Sequence, residues 1–140
     1  MFKGDTYVRV RYQETDQMGL AYHANYIIWF EVGRTEYFRQ LGLPYKEFEK
    51  NNLYLPVIKV QSEFKKPAYY DDLLTVVTKI ETLHEVRLAF VYEIYREKEL
   101  LALGGTEHVF VNDRGKPQIL RKQSPFLWKR IQEALAKVET

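Results

Sequence analysis

Cysteine is absent from the 140 residues, which excludes disulfide scaffolds, thiolate metal sites and every mechanism with a cysteine nucleophile. That absence fits a reducing cytoplasm, the location expected for the chain. Serine occurs only at Ser62 and Ser124, neither within Gly-x-Ser-x-Gly, so no hydrolase elbow is built. No glycine-rich phosphate loop is present, and no bound cofactor is expected. His23, His84 and His108 are far apart in sequence, and no metal site is expected from them. Long apolar runs are also missing. The stretch from Tyr26 to Phe30 is cut by Glu31, and Met1-Phe2-Lys3-Gly4-Asp5 has no apolar core, so neither a membrane span nor a secretory leader is expected. Charge of one sign is not in excess either. Lys and Arg number 21 against 19 Asp and Glu, a net charge of +2, too balanced for a surface built to grip nucleic acid.

What is present suits one globular domain over 1–140: 46% hydrophobic, 29% charged and an aromatic share of 15% that includes 11 Tyr. Residues 6–13 alternate, with Val8, Val10 and Tyr12 on one face, which predicts a half-buried strand. From about Ala24 to Leu41 there is no proline, and apolar residues cover most of a helix circumference, which predicts a buried helix ended by Gly42. Gly33 in its middle suits close approach to a sheet. A short helix follows from Pro44 to about Lys50. Period-two patterns at 58–65, 73–80, 88–95 and about 100–111, with short connections, predict antiparallel strands. Ser124 and Pro125 open a last helix with Leu127, Ile131, Ala134, Leu135 and Val138 on its apolar stripe. The order is α+β: an antiparallel sheet curled around one apolar helix, its open edges favouring a second copy of the chain.

Special residues are densest between the first strand and the buried helix, from Tyr12 to Tyr26. A helix N-terminus offers unpaired backbone N–H groups that can hold an oxyanion. An aspartate just before it, Asp16, can act there as base or nucleophile. The alternative is structural: Asp16 caps a turn, Gly19 bends the chain, and His23 and Asn25 satisfy backbone groups. Glu31 and Arg34, and Glu36 and Arg39, have the spacing of helix-surface ion pairs, and both glutamates are read as structural. Residues 114–130 carry Arg114, Lys116, Arg121, Lys122, Lys129 and Arg130 with no acid, either a solvated surface or a place for phosphates.

Thr15-Asp16-x-x-Gly19-x-x-Tyr22-His23-x-Asn25-Tyr26, followed by Phe30-Glu31-x-x-Arg34-x-Glu36 and Leu41-Gly42, resembles the signature of hotdog-fold acyl-CoA thioesterases of the YbgC and 4-hydroxybenzoyl-CoA thioesterase type. Phe64-Lys65-Lys66-Pro67-Ala68-x-x-Asp71-x-Leu73 resembles a further segment of that family. The resemblance implies a hotdog fold with a C-terminal helix and hydrolysis of an acyl-CoA, with CoA thioester as substrate and no cofactor. It implies Asp16 as nucleophile or general base, the His23 backbone N–H at the oxyanion and the His23 side chain in a positioning role. Gly19, Tyr22 and Tyr26 would shape the acyl pocket, and Lys65, Lys66 and Arg87 are candidates for the phosphates. It further implies a homo-oligomer, a dimer or a homotetramer. Competing readings are a thioesterase acting on an acyl carrier protein, a non-catalytic acyl- or protein-binding module, and a hotdog dehydratase, whose usual Asp/His placement is not matched here.

Overall fold

The structure, a computed structural model, describes residues 2–136. Strands β1 (Lys3–Arg9), β2 (Val57–Phe64), β3 (Leu73–Leu83), β4 (Arg87–Arg96) and β5 (Glu99–Val109) form one antiparallel sheet in the order β1-β3-β4-β5-β2. Helix α1 (Ala24–Gln40) lies against its inner face, α2 (Tyr45–Lys50) follows it, and α3 (Leu120–Gln123) and α4 (Pro125–Ala136) close the chain. The expected α+β order is therefore present. Ser124 caps α4 as anticipated, its Oγ accepting from the Leu127 N–H at 3.3 Å. Val138, expected on the α4 stripe, lies outside the described residues.

Two glycines set the distance between helix and sheet. A Cβ on Gly33 of α1 would stand 2.5 Å from Thr78 Oγ1 and 2.8 Å from Val76 Cγ1 of β3. On the sheet side, Gly104 of β5 makes room for Phe30, whose ring stacks on Tyr92 of β4 at 4.5 Å and 11°. A Cβ there would sit 2.1 Å from the Phe30 ring. Gly104→Ala is therefore expected to cost about 2 kcal/mol through overpacking, read as a lower denaturant midpoint at an unchanged m-value.

The first strand is shorter than the alternation predicts. It ends at Arg9, although Val10 still exchanges backbone bonds with Asp71 and Asp72, because the Glu14 carboxylate accepts from the Arg11 N–H at 2.7 Å and draws 12–14 into a 3-10 turn. Tyr12, expected on the inner face, is consequently 77% exposed. The one-turn helix α3 was not anticipated, since four residues are too few to show a period.

The sheet's two edges differ. At the start of β1 the Asp5 carbonyl accepts from Gln40 of α1, the preceding Phe2 carbonyl accepts from Tyr37, and the Phe2 N–H donates to Ala134 of α4, so that edge is partly covered. Among the described residues strand β2 has no such cover; Val57, Ile58, Val60 and Phe64 are exposed, as are Ile27 and Ile28 on α1. The all-round burial suggested by the α1 sequence is thus not achieved within one chain. The basic segment lies at the other end of the helix: Arg121 pairs with Glu85 at 2.6 Å, and Arg130 donates to the Leu41 carbonyl at 2.6 Å, closing the C-terminus of α1. No described helix is long and apolar enough to cross a membrane.

Candidate active site

The loop before α1 is held by its own polar groups. Asp16 Oδ1 accepts from the N–H of Met18 at 2.8 Å and of Leu20 at 3.2 Å. The Asp16 N–H donates to the Leu20 carbonyl, and Gly19, at φ +79°, supplies the left-handed residue the turn requires. Asp16 is exposed, and its Oδ2 has no partner among the described residues. The structural and chemical readings of Asp16 are therefore compatible: one oxygen builds the turn and the other faces outward.

A buried carboxylate bolts this loop to the helix. Besides the Arg11 N–H, Glu14 accepts from the Trp29 indole N–H at 3.2 Å, while its carbonyl accepts from Asn25 Nδ2 at 2.9 Å and the Tyr22 N–H at 2.8 Å. Sequence reasoning missed Glu14, because its partner Trp29 is 15 positions away; only the need of a buried indole for an acceptor hinted at it. Asn25 orders the helix start as anticipated. The backbone N–H groups of His23 and Ala24, at the positive end of α1, have no acceptor among the described residues.

Asp16, Tyr22, His23, Tyr26, Phe64, Lys65 and Lys66 meet around one cleft of about 460 Å³. Its wall is aromatic: the His23 ring lies 4.4 Å from that of Tyr22, and Tyr26 meets Phe64 edge-on at 4.9 Å. Tyr26 is buried, its hydroxyl accepting from the Ala68 N–H at 3.2 Å, and burial raises its pKa. Gly19 holds the Asp16 turn without lining the cleft. Lys65 pairs with Glu63 at 3.4 Å and Lys66 with Glu99 at 2.7 Å, so both ammonium groups already have carboxylate partners. Arg87 is not brought in. It opens β4 opposite Val109, whereas the other end of that strand, Arg96, reaches the cleft by donating to the Pro67 carbonyl at 3.1 Å; the two ends are about 30 Å apart at strand rise.

The helix carboxylates divide. Glu36 pairs with Arg39 as its spacing predicts. Glu31 and Arg34 make no ion pair among the described residues; the Arg34 charge instead acts on the buried Tyr92 hydroxyl, whose pKa burial nevertheless pushes up to about 12. No cluster of metal-ligating side chains occurs among the described residues.

The sequence matches the model of the thioesterase-like superfamily over residues 10–135. The chain belongs to this superfamily. The hotdog fold and the thioester-hydrolase class go with that membership. Among similar superfamily proteins, the Bacillus subtilis protein named "Putative acyl-CoA thioesterase YneP" is 39% identical over 84% of this chain and 87% of its own. The Haemophilus influenzae acyl-CoA thioesterase YbgC is 34% identical over 78% of this chain and 80% of its own. A DHNA-CoA thioesterase from Staphylococcus aureus superposes with a TM-score of 0.93 at 34% identity, covering 99% of this chain and 98% of that one.

Proposed function

We propose that the protein hydrolyses the thioester of an acyl-CoA, with Asp16 as the reacting carboxylate. The observation that carries this reading is the unpartnered Asp16 Oδ2 beside a cleft that meets the N-terminus of α1. A thioester carbonyl lodged there accepts from the free N–H groups of His23 and Ala24, which stabilise the negative charge that develops on its oxygen. Asp16 Oδ2 then attacks the carbonyl carbon, forming a mixed anhydride as the C–S bond breaks and CoA leaves as thiolate. Water opens the anhydride to the free acid. In the other route Oδ2 takes a proton from water as its oxygen attacks the carbonyl carbon, and the C–S bond then breaks to release the acid and CoA thiolate. The His23 ring, packed on Tyr22, positions the acyl group rather than transferring a proton.

The wall of Tyr22, His23, Tyr26 and Phe64 favours an aromatic acyl group, in keeping with the name of the staphylococcal relative. A thiol-release assay across aromatic, short and long acyl-CoAs, repeated with acyl carrier protein thioesters, tests class and carrier together. Hydrolysis of none would leave only a binding role. A single turnover in ¹⁸O-water tests the anhydride route: water that opens the anhydride at Asp16 Cγ leaves label in the Asp16 carboxylate, whereas attack at the acyl carbon and general-base catalysis both place it in the free acid, so label in Asp16 establishes the anhydride.

The bare β2 edge and the exposed Ile27 and Ile28 support a working unit of two chains, with Phe64 carrying that edge up to the cleft. Val60→Pro removes a ladder donor from β2 and is expected to yield a monomer by sedimentation, with thioesterase activity lost. A variant that stays oligomeric and active would refute this placement.

A further inference from the structure

Exposed tyrosines gather beside the Asp16 loop. Tyr7 is 64% exposed, Tyr12 77% and Tyr70 54%, and Tyr12 meets Tyr70 edge-on at 5.6 Å. Exposed rings gathered in this way mark a binding surface rather than chance. Arg9 and Arg11 follow Tyr7 at every second position, both exposed, and Tyr12 comes directly after Arg11. Arg9 donates to the Asp71 carbonyl at 2.8 Å and has no carboxylate at ion-pair distance among the described residues. Arg11 meets Glu14 at 3.5 Å through Nε, and its Nη1 and Nη2 donate to the neutral Gln13 side-chain oxygen at 3.1 and 3.3 Å. The Asp71 carboxylate pairs with neither.

The patch is joined to the cleft by backbone. Tyr70 N–H donates to the Gly19 carbonyl, Thr15 N–H donates to Tyr12, and Leu20 bridges Tyr69, so both sides share the loop that holds Asp16. From Pro67 at the cleft to Tyr70 is about 10 Å of extended chain. We propose that Arg9, Arg11, Tyr12 and Tyr70 bind the adenosine phosphate end of the CoA carrier, the guanidinium groups taking phosphate and the rings taking the purine. Other basic surfaces suit this less well. Lys65, Lys66 and Arg96 each meet a carboxylate through their terminal nitrogens, whereas Arg11 meets Glu14 through Nε and Arg9 meets none; of the 114–130 segment, Arg130 lies at the opposite end of α1.

The inference rests on the acyl-CoA reading but has a readout that does not need turnover. Adenosine 3′,5′-bisphosphate is expected to bind the wild-type protein with an affinity that falls at least tenfold in Arg9→Glu and in Tyr70→Ser, each checked for an unchanged thermal midpoint. Wild-type KM for an aryl-CoA is expected to rise with salt, while KM for the same acyl group on pantetheine lacking the nucleotide does not. In both variants KM rises for the CoA ester alone, with kcat unchanged. Should these substitutions destabilise the protein, the wild-type salt comparison still decides. Bisphosphate that fails to bind the wild type, equal KM values for the two carriers, or a KM increase confined to acyl carrier protein thioesters would overturn the patch as a nucleotide site. Binding at the patch without hydrolysis of any thioester would instead overturn the catalytic reading.

Discussion

Asp16→Asn is expected to lower kcat for thioester hydrolysis by about a hundredfold or more, with KM and thermal stability close to wild type. The asparagine carbonyl oxygen can keep the bonds that Oδ1 accepts from Met18 and Leu20, so the turn survives. What disappears is the anionic oxygen, the only feature of the side chain that either proposed route uses. Stopped thiol release with an unchanged melting midpoint separates loss of chemistry from loss of fold. His23→Ala is the matching control. Its backbone N–H remains, so it is not expected to incur the loss of about a hundredfold or more that follows removal of an oxyanion donor. Near wild-type turnover in Asp16→Asn would defeat the assignment.

The second large effect concerns stability and pH. His108 on β5 is 1% exposed; Nδ1 lies 3.0 Å from the Leu55 carbonyl and Nε2 lies 2.9 Å from Thr106 Oγ1, which is 2.6 Å from the Tyr92 hydroxyl. Leu55 must accept, so Nδ1 carries the proton and Nε2 accepts from Thr106. Burial, reinforced by the charge of Arg34, pushes the His108 pKa down from 6.5 to about 4, against the opposing hydrogen bond to Leu55. Between those values the unfolded chain binds a proton that the folded chain does not. Stability from this group is therefore complete above about pH 6.5 and falls as pH drops towards 4, by a total on the order of 3 kcal/mol. Urea denaturation at several pH values measures it. His108→Gln should be less stable at pH 7 and should lose most of the slope between pH 6.5 and 4. An equal slope in the two proteins would place the titration elsewhere. Glu85 and Glu99, held below the usual carboxylate range chiefly by hydrogen bonds from Arg121 and Lys66, act in the same direction at lower pH and are common to both proteins.

Local rules carried much of the architecture. The α1 boundaries follow from a proline-free apolar stretch and the positive φ of Gly42, the long strands from period two, and the α4 start from Ser124. The Asp16 turn was legible for the same reason, since an aspartate three residues before a glycine bonds its own backbone. Interactions between distant positions were not legible. Glu14 meets Trp29 and ends β1 early, turning Tyr12 outward; Arg34 does not pair with Glu31 and its charge acts on Tyr92; and Arg87 begins its strand at the end away from the cleft. Each depends on which strand lies beside which, and a single chain's periodicity does not encode that order.

The unequal edges of the sheet bear on how assembly stops. A strand edge that pairs with its own copy about a two-fold axis consumes the bonding groups of both partners. Because Gln40 and Tyr37 of α1 already take the Asp5 and Phe2 carbonyls at the start of the β1 edge, a sheet extended at β2 would end in two partly occupied margins. A two-fold pairing at β2 would then use up the exposed apolar strand in one step rather than leave it as the template of a fibre.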